Sequence, residues 1–248
     1  MLQRALSALA LVLAMLSATP ALAGGGKALV LVELFTSQGC SSCPPADAYL
    51  VELAKRKDVL ALGFHVSYWD YLGWKDTFAS DRNVWRQRAY AKSLGERSVY
   101  TPQVVVNGTA HEVGSRRDAI EALISKAKIG AREKPNPELS LAPGPGDTLS
   151  VTLNDGTSAT AGTVWLIRFD RGREVSIDRG ENAGRTLLYR NVVTDFKRIA
   201  QWNGGRLELS LGMAELREGD RDAVAVVVQE GSLGRVLAVA THELKLLP

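Results

Sequence analysis

Apolar and polar residues follow two rhythms along this chain. From Lys27 to residue 132, long apolar runs alternate with stretches of helical spacing; beyond residue 138 the runs are short and separated by turn residues. The run from Lys27 to Phe35 is almost unbroken, as for a strand buried on both faces of a sheet. Its one interior charge, Glu33, reads as a solvated carboxylate at the strand margin. Ala46 to Lys57 then places Ala46, Tyr49, Leu50, Leu53 and Ala54 at the spacing of an amphipathic helix. Val59 to Val66 is the next apolar run. A strand–helix–strand unit of this length predicts a right-handed crossover and two parallel strands. Parallel strands end on one edge, so His65 and the following Ser67-Tyr68-Trp69-Asp70-Tyr71, which open an aromatic segment running to Phe78, should emerge beside Cys40.

Asp81 to Leu94 predicts a helix, with Asp81 as N-cap and Gly95 as its stop. Pro102 opens a β-branched strand, where its missing N–H is tolerated. Asn107-Gly108 predicts a two-residue hairpin turn, which also accounts for the letters of an Asn-Gly-Thr sequon. The second arm runs to Val113, and Ser115 caps a helix to Ile129. Lys134-Pro135-Asn136-Pro137 reads as a short stiff linker.

After it, strands are predicted at Glu138–Ala142, Thr148–Leu153, Thr163–Phe169, Thr186–Ile199, Arg206–Leu211, Ala223–Glu230 and Arg235–Leu247. Strands at this spacing predict an antiparallel sandwich. Arg171, Arg173, Arg179 and Arg185 read as solvated loop ends, and Trp165 and Trp202 as core anchors. The expected organisation is an α/β domain over 27–132, a linker over 133–137, and an all-β sandwich over 138–248.

Residues 1–23 stand apart. Arg4, the apolar stretch Ala8 to Leu16 and the small-x-small site Ala21-Leu22-Ala23 form a secretory signal peptide. Its removal leaves 225 of the 248 residues and takes the formal charge from +3 to +2 by loss of Arg4. No basic block calls for nucleic acid, and no stable membrane anchor is expected after cleavage. The expected location is periplasmic or secreted, where the state of a cysteine pair depends on its own potential and its redox partners.

The only two cysteines, Cys40 and Cys43, are spaced C-x-x-C between the first strand and the first helix, followed by Pro44-Pro45. Two intervening residues bring the sulfurs within bonding reach, and a helix N-terminus favours a thiolate. Prolines suit that first turn, where a missing N–H is no loss. A zinc site needs two further ligands; no third cysteine exists and His65, His111 and His242 stand singly, so no metal and no cofactor are expected. A purely structural disulfide remains open beside the redox reading.

The order strand, C-x-x-C helix, strand, helix, Thr-Pro strand, hairpin and helix resembles the thioredoxin fold. Thr101-Pro102-Gln103-Val104-Val105-Val106-Asn107-Gly108 resembles the cis-proline segment of that superfamily. More closely, Glu33 to Pro45, Tyr100-Thr101-Pro102-Gln103, Arg179-Gly180-Glu181-Asn182 and Asn191-Val192-Val193 are similar to a family of exported bacterial thioredoxin-like proteins described as a domain of unknown function. The resemblance implies Cys40 as attacking and Cys43 as resolving cysteine, a cis Pro102 against the disulfide, and Thr101 pairing its backbone with substrate. The expected fold is thus an α/β thioredoxin-like domain followed by an antiparallel β-sandwich.

The expected function is thiol–disulfide exchange on exported protein thiols or disulfides, together with a redox partner protein. Tyr68 and Trp69 are candidate substrate-binding residues, and Glu33 and His65 candidate proton relays. The other reading is a non-catalytic binding or assembly module with the cysteine pair as a clip. Ser41 and Ser42 bring neither charge nor imidazole between the cysteines, so the sequence leaves the redox direction open.

Overall fold

The computed structural model describes residues 29–133, 136–154 and 161–244. Residues 1–28, 134–135, 155–160 and 245–248, which take in the segment read as a signal peptide and part of the expected linker, lie outside the described residues. Strand β1 (Val30–Thr36), helix α1 (Pro44–Leu53) and strand β2 (Val59–His65) form the expected parallel crossover, with Thr36 opposite His65. Helix α2 (Asp81–Leu94), strands β3 (Gln103–Val106) and β4 (Ala110–Val113) and helix α3 (Arg117–Glu133) follow. Then come β5 (Leu139–Gly144), β6 (Thr148–Leu153), β7 (Gly162–Ile177), β8 (Arg185–Trp202), β9 (Leu207–Gly212), α4 (Met213–Arg217), β10 (Ala223–Glu230) and β11 (Val236–Glu243).

The expected α/β thioredoxin-like domain with a separate antiparallel sandwich is not the fold. One mixed sheet of eight strands, in the order β11-β10-β7-β8-β2-β1-β3-β4, joins both parts of the chain, and β5-β6-β9 form a small second sheet. The join is β8 running parallel to β2 at Gly63 and Val192. Sequence periodicity reports which face of a strand is buried, but any strand edge offers the same N–H and C=O groups to any neighbour. Nothing in the apolar pattern therefore announced that β2 takes β8 as its partner. The arginine-rich region also differs: Arg171 and Arg173 lie within the 16-residue β7, and Arg185 opens the 18-residue β8.

Side-chain alternation builds three core layers. Odd positions of β1 and even positions of β2 (Leu31, Phe35, Leu60, Leu62, Phe64) join Trp165, Ile167, Phe169 and Ala225 beneath α2. The opposite face of β1 and β2 packs on α1 and α3 through Val32, Leu34, Leu50, Leu53, Ile120 and Ile124. The other face of β7 and β10 packs on the small sheet around Trp202, Leu149 and Val151.

Two contacts fasten the parts further. Arg86 of α2, wholly buried, pairs with Glu33 of β1 at 2.7 Å and binds Gln229 of β10 at 2.9 Å. At the β3–β4 hairpin, Asn107 and Gly108 both have positive φ, and Asn107 O accepts the Val236 N–H at 2.9 Å. A Cβ at Gly108 would stand 2.2 Å from Gly234 O, so only glycine lets the two backbones meet.

Candidate functional site

The loop after β1 is shaped by Gln38 and Gly39. Gln38 N donates to Asp76 Oδ2 at 2.7 Å, and its side-chain oxygen accepts from Trp74 Nε1 at 2.8 Å and Thr77 N at 3.2 Å. Gly39 lies against the Trp69 carbonyl, 3.2 Å from where a Cβ would sit. These contacts place the turn Cys40-Ser41-Ser42-Cys43 at the start of α1. Cys43 is its N-cap, followed by two prolines.

Cys40 and Cys43 form a disulfide. Cys43 is wholly buried and Cys40 is 3% exposed, while Ser41 and Ser42 face solvent. The Thr101–Pro102 peptide is cis and lies beside the pair. Thr101 Oγ1 donates to Cys40 Sγ at 3.3 Å and accepts from Trp69 Nε1 at 2.7 Å. Ser42 Oγ is 3.4 Å from Cys40 Sγ and 3.5 Å from the Thr101 carbonyl. Trp69 stacks on Tyr71, which is 76% exposed, and Tyr68 is tied back to Gln87 by its hydroxyl at 3.1 Å. The sequence-predicted residues Cys40, Cys43, Thr101, Pro102 and Trp69 thus converge, with Tyr68 at the margin.

The two expected proton-relay residues separate. Glu33, read from the sequence as solvated, is instead wholly buried, bound to Arg86 and accepting from Tyr90 Oη. Its interior position on β1 and this ion pair dedicate it to the sheet. His65 lies under α1, with Nδ1 2.7 Å from Asp76 Oδ2. Burial opposes its charged form, but the charge of Asp76, their hydrogen bond and the charge of Asp47 together raise its pKa. Burial works against Asp76 in turn, yet His65 and the N–H groups of Gln38 and Phe78 hold its carboxyl below the usual range.

Asp47, one turn into α1, was not singled out in the sequence. It is buried, neither carboxylate oxygen has a hydrogen-bond partner, and burial pushes its pKa up to about 7. The charge of His65 offsets part of that rise, helped by the Thr36 hydroxyl, which lies near the carboxyl but outside hydrogen-bond geometry. The Tyr189 hydroxyl and Thr36 Oγ1 are likewise buried without partners, and the Tyr189 ring packs edge-on to His65 at 4.9 Å.

The second half of the chain completes the site. Asn182, buried in the loop between β7 and β8, donates from Nδ2 to the carbonyls of Gln38 and Cys40, each at 2.9 Å. Glu181 Oε2 accepts the Ser41 N–H at 3.4 Å. Their string was visible in the sequence, but 140 residues separate Glu181 from the turn it touches, and no periodicity carries that contact.

A family profile described as "Protein of unknown function (DUF1223)" matches residues 31–229. The chain belongs to this family. The match begins in β1 and ends in β10, so it takes in both the C-x-x-C turn and the Glu181-Asn182 loop. Among solved structures the chain is similar to the crystal structure of protein AGR_C_4864 from Agrobacterium tumefaciens. The two are 29% identical with a TM-score of 0.78, over 89% of this chain and 97% of that one. A comparison with curated proteins found no match.

Proposed function

We propose that the chain is an exported thiol–disulfide oxidoreductase acting on protein disulfides through Cys40 and Cys43, in the periplasm or outside the cell. The observation that supports this best is the setting of the pair. It lies at the start of a helix, its outer sulfur accepts the Thr101 hydroxyl, and a solvent-facing serine edge and an aromatic shelf lie beside it. With the pair reduced, the Cys40 thiolate attacks a substrate disulfide. A bond forms from Cys40 Sγ to one substrate sulfur, the substrate S–S bond breaks, and the departing sulfur takes the electron pair and a proton. Cys43 then loses its proton and attacks Cys40 Sγ. The internal disulfide re-forms and the second substrate sulfur leaves as a thiol. The substrate gains two electrons and the pair loses two, so a dithiol partner protein must restore it. Buried Asp47, unpaired and one turn beyond Cys43, is the group we assign to take the Cys43 proton.

Substrate is held, in this reading, by the backbone at Thr101-Pro102 and by Trp69 and Tyr68, with Tyr71 widening the shelf. The test is a trapping experiment. Cys43→Ala, offered exported proteins bearing disulfides, is expected to accumulate Cys40-linked mixed disulfides, and Cys40→Ala is not. No adduct in either variant sinks the proposal.

One observation favours a second reading, a binding module in which the pair is a structural clip: both cysteines are nearly or wholly buried, at 3% and 0% exposure. A clip would show a potential well below about −300 mV and no reactive thiol.

A further inference from the structure

The loop between β7 and β8 brings a negative charge to the outer edge of the cysteine pair. Asn182 fixes that loop by its two bonds to the Gln38 and Cys40 carbonyls, and Arg185 holds the far end of the same amide, through Oδ1, at 3.3 Å. Beside it the exposed Glu181 carboxylate takes the N–H of Ser41, the residue joined to Cys40. Among the described residues, Glu181 is the charged side chain hydrogen-bonded to the Cys40–Cys43 turn.

We propose that Glu181 sets the redox direction of the pair: its carboxylate disfavours the Cys40 thiolate and makes the protein a reductant of disulfides. This deepens the oxidoreductase reading and rests on it. Reduction yields two thiols, of which the outer is the one to ionise. Whatever stabilises its thiolate stabilises the reduced form and makes the pair oxidising; whatever opposes it makes the pair reducing.

The surroundings offer that thiolate little. The first two positions of α1 are Pro44 and Pro45, which have no N–H to give. The Ser41 N–H is engaged by Glu181, and the Thr101 and Ser42 hydroxyls are neutral donors. On the inner side, the His65–Asp76 pair balances itself when charged, and Asp47 adds no cation. The two arginines of this loop and its margin, Arg179 and Arg185, are both exposed, and Arg185 is directed to Asn182.

The experiment uses the mature full-length chain. The pair is equilibrated in glutathione buffers, and reduced and oxidised forms are separated by mass after alkylation. Glu181→Gln is expected to shift the equilibrium about tenfold toward the reduced form, which is about 30 mV for a two-electron couple. Cys40 alkylation should begin at lower pH in this variant. Glu181→Lys should move further the same way, and Glu181→Asp should stay near the parent. The difference should shrink in about 1 M salt, as a surface charge effect does and a packing effect does not. Gln and Lys variants within twofold of the parent would overturn the assignment while leaving disulfide exchange intact. A parent pair that no thiol reduces would instead defeat the oxidoreductase reading, before any variant is made.

Discussion

Asp47 is the side chain least matched to its surroundings. Ordinarily it would ionise near 3.8; burial carries it to about 7 in the folded chain. Between those values the native protein holds a proton that the unfolded chain releases, so this group's contribution to stability falls as pH rises from about 4 to 7. Three pH units at about 1.4 kcal/mol each make the loss on the order of 4 kcal/mol. Asp47→Asn is therefore expected to be the more stable protein at pH 8, by a few kcal/mol, and to match the parent near pH 4. Urea unfolding at several pH values checks this, and parallel curves would refute it. The His65–Asp76 pair is present in both protein forms, but Asp47→Asn also removes the charge that helps raise the His65 pKa, so part of the measured difference is that coupling. Asp76, with its lowered pKa, loses stability as pH falls below the ordinary carboxylate range; His65, with its raised pKa, loses it as pH rises through the folded value.

Residues of this kind were unevenly legible. Cys40 and Cys43 stood out by their own chemistry and spacing, and Thr101 and Pro102 through the resemblance of their segment to a cis-proline strand. Glu33 misled, since a charge in an apolar run looks like a strand margin until its partner, Arg86, is found 53 residues later. Asp47 sat inside a good helix pattern, and Thr36, His65 and Tyr189 reach it from three other elements.

Among the elements, α2 binds the most together. Its bounds, Asp81 to Leu94, are those the sequence predicts, although Ser80 rather than Asp81 caps it by accepting the Arg82 N–H. Arg86 reaches from it to both Glu33 and Gln229, and its guanidinium lies over the Phe64 and Trp165 rings at 5.4 and 5.6 Å. Removing one partner of a wholly buried ion pair strands the other charge, at about 3–5 kcal/mol. Glu33→Leu and Arg86→Met should each destabilise by about that much. A Glu33→Leu/Arg86→Met double variant should recover part of the loss, because it buries no lone charge. Denaturant unfolding measures the cycle, and strict additivity would show that the pair is not coupled.

Across the whole molecule, one eight-stranded sheet and a core shared beneath α2 predict cooperative unfolding. Tryptophan fluorescence, which sums five residues over both parts of the chain, and Cys40–Cys43 accessibility to a reductant should change together along a denaturant series. Two separated transitions would refute that expectation. The same continuity brings Asn182 onto the backbone of the cysteine turn, so a chain cut after α3 would lose part of its site as well as a sheet neighbour.

Local pattern determined the β1–α1–β2 crossover, α2, the Asn107-Gly108 hairpin and the cysteine pair, because helical period, turn chemistry and C-x-x-C spacing act over a few residues. The tertiary structure alone decided that β8 joins β2, that Glu33 is paired and buried, and that Glu181 and Asn182 reach the cysteines. Strand edges are chemically alike, and contacts spanning 50 to 140 residues leave no trace in periodicity.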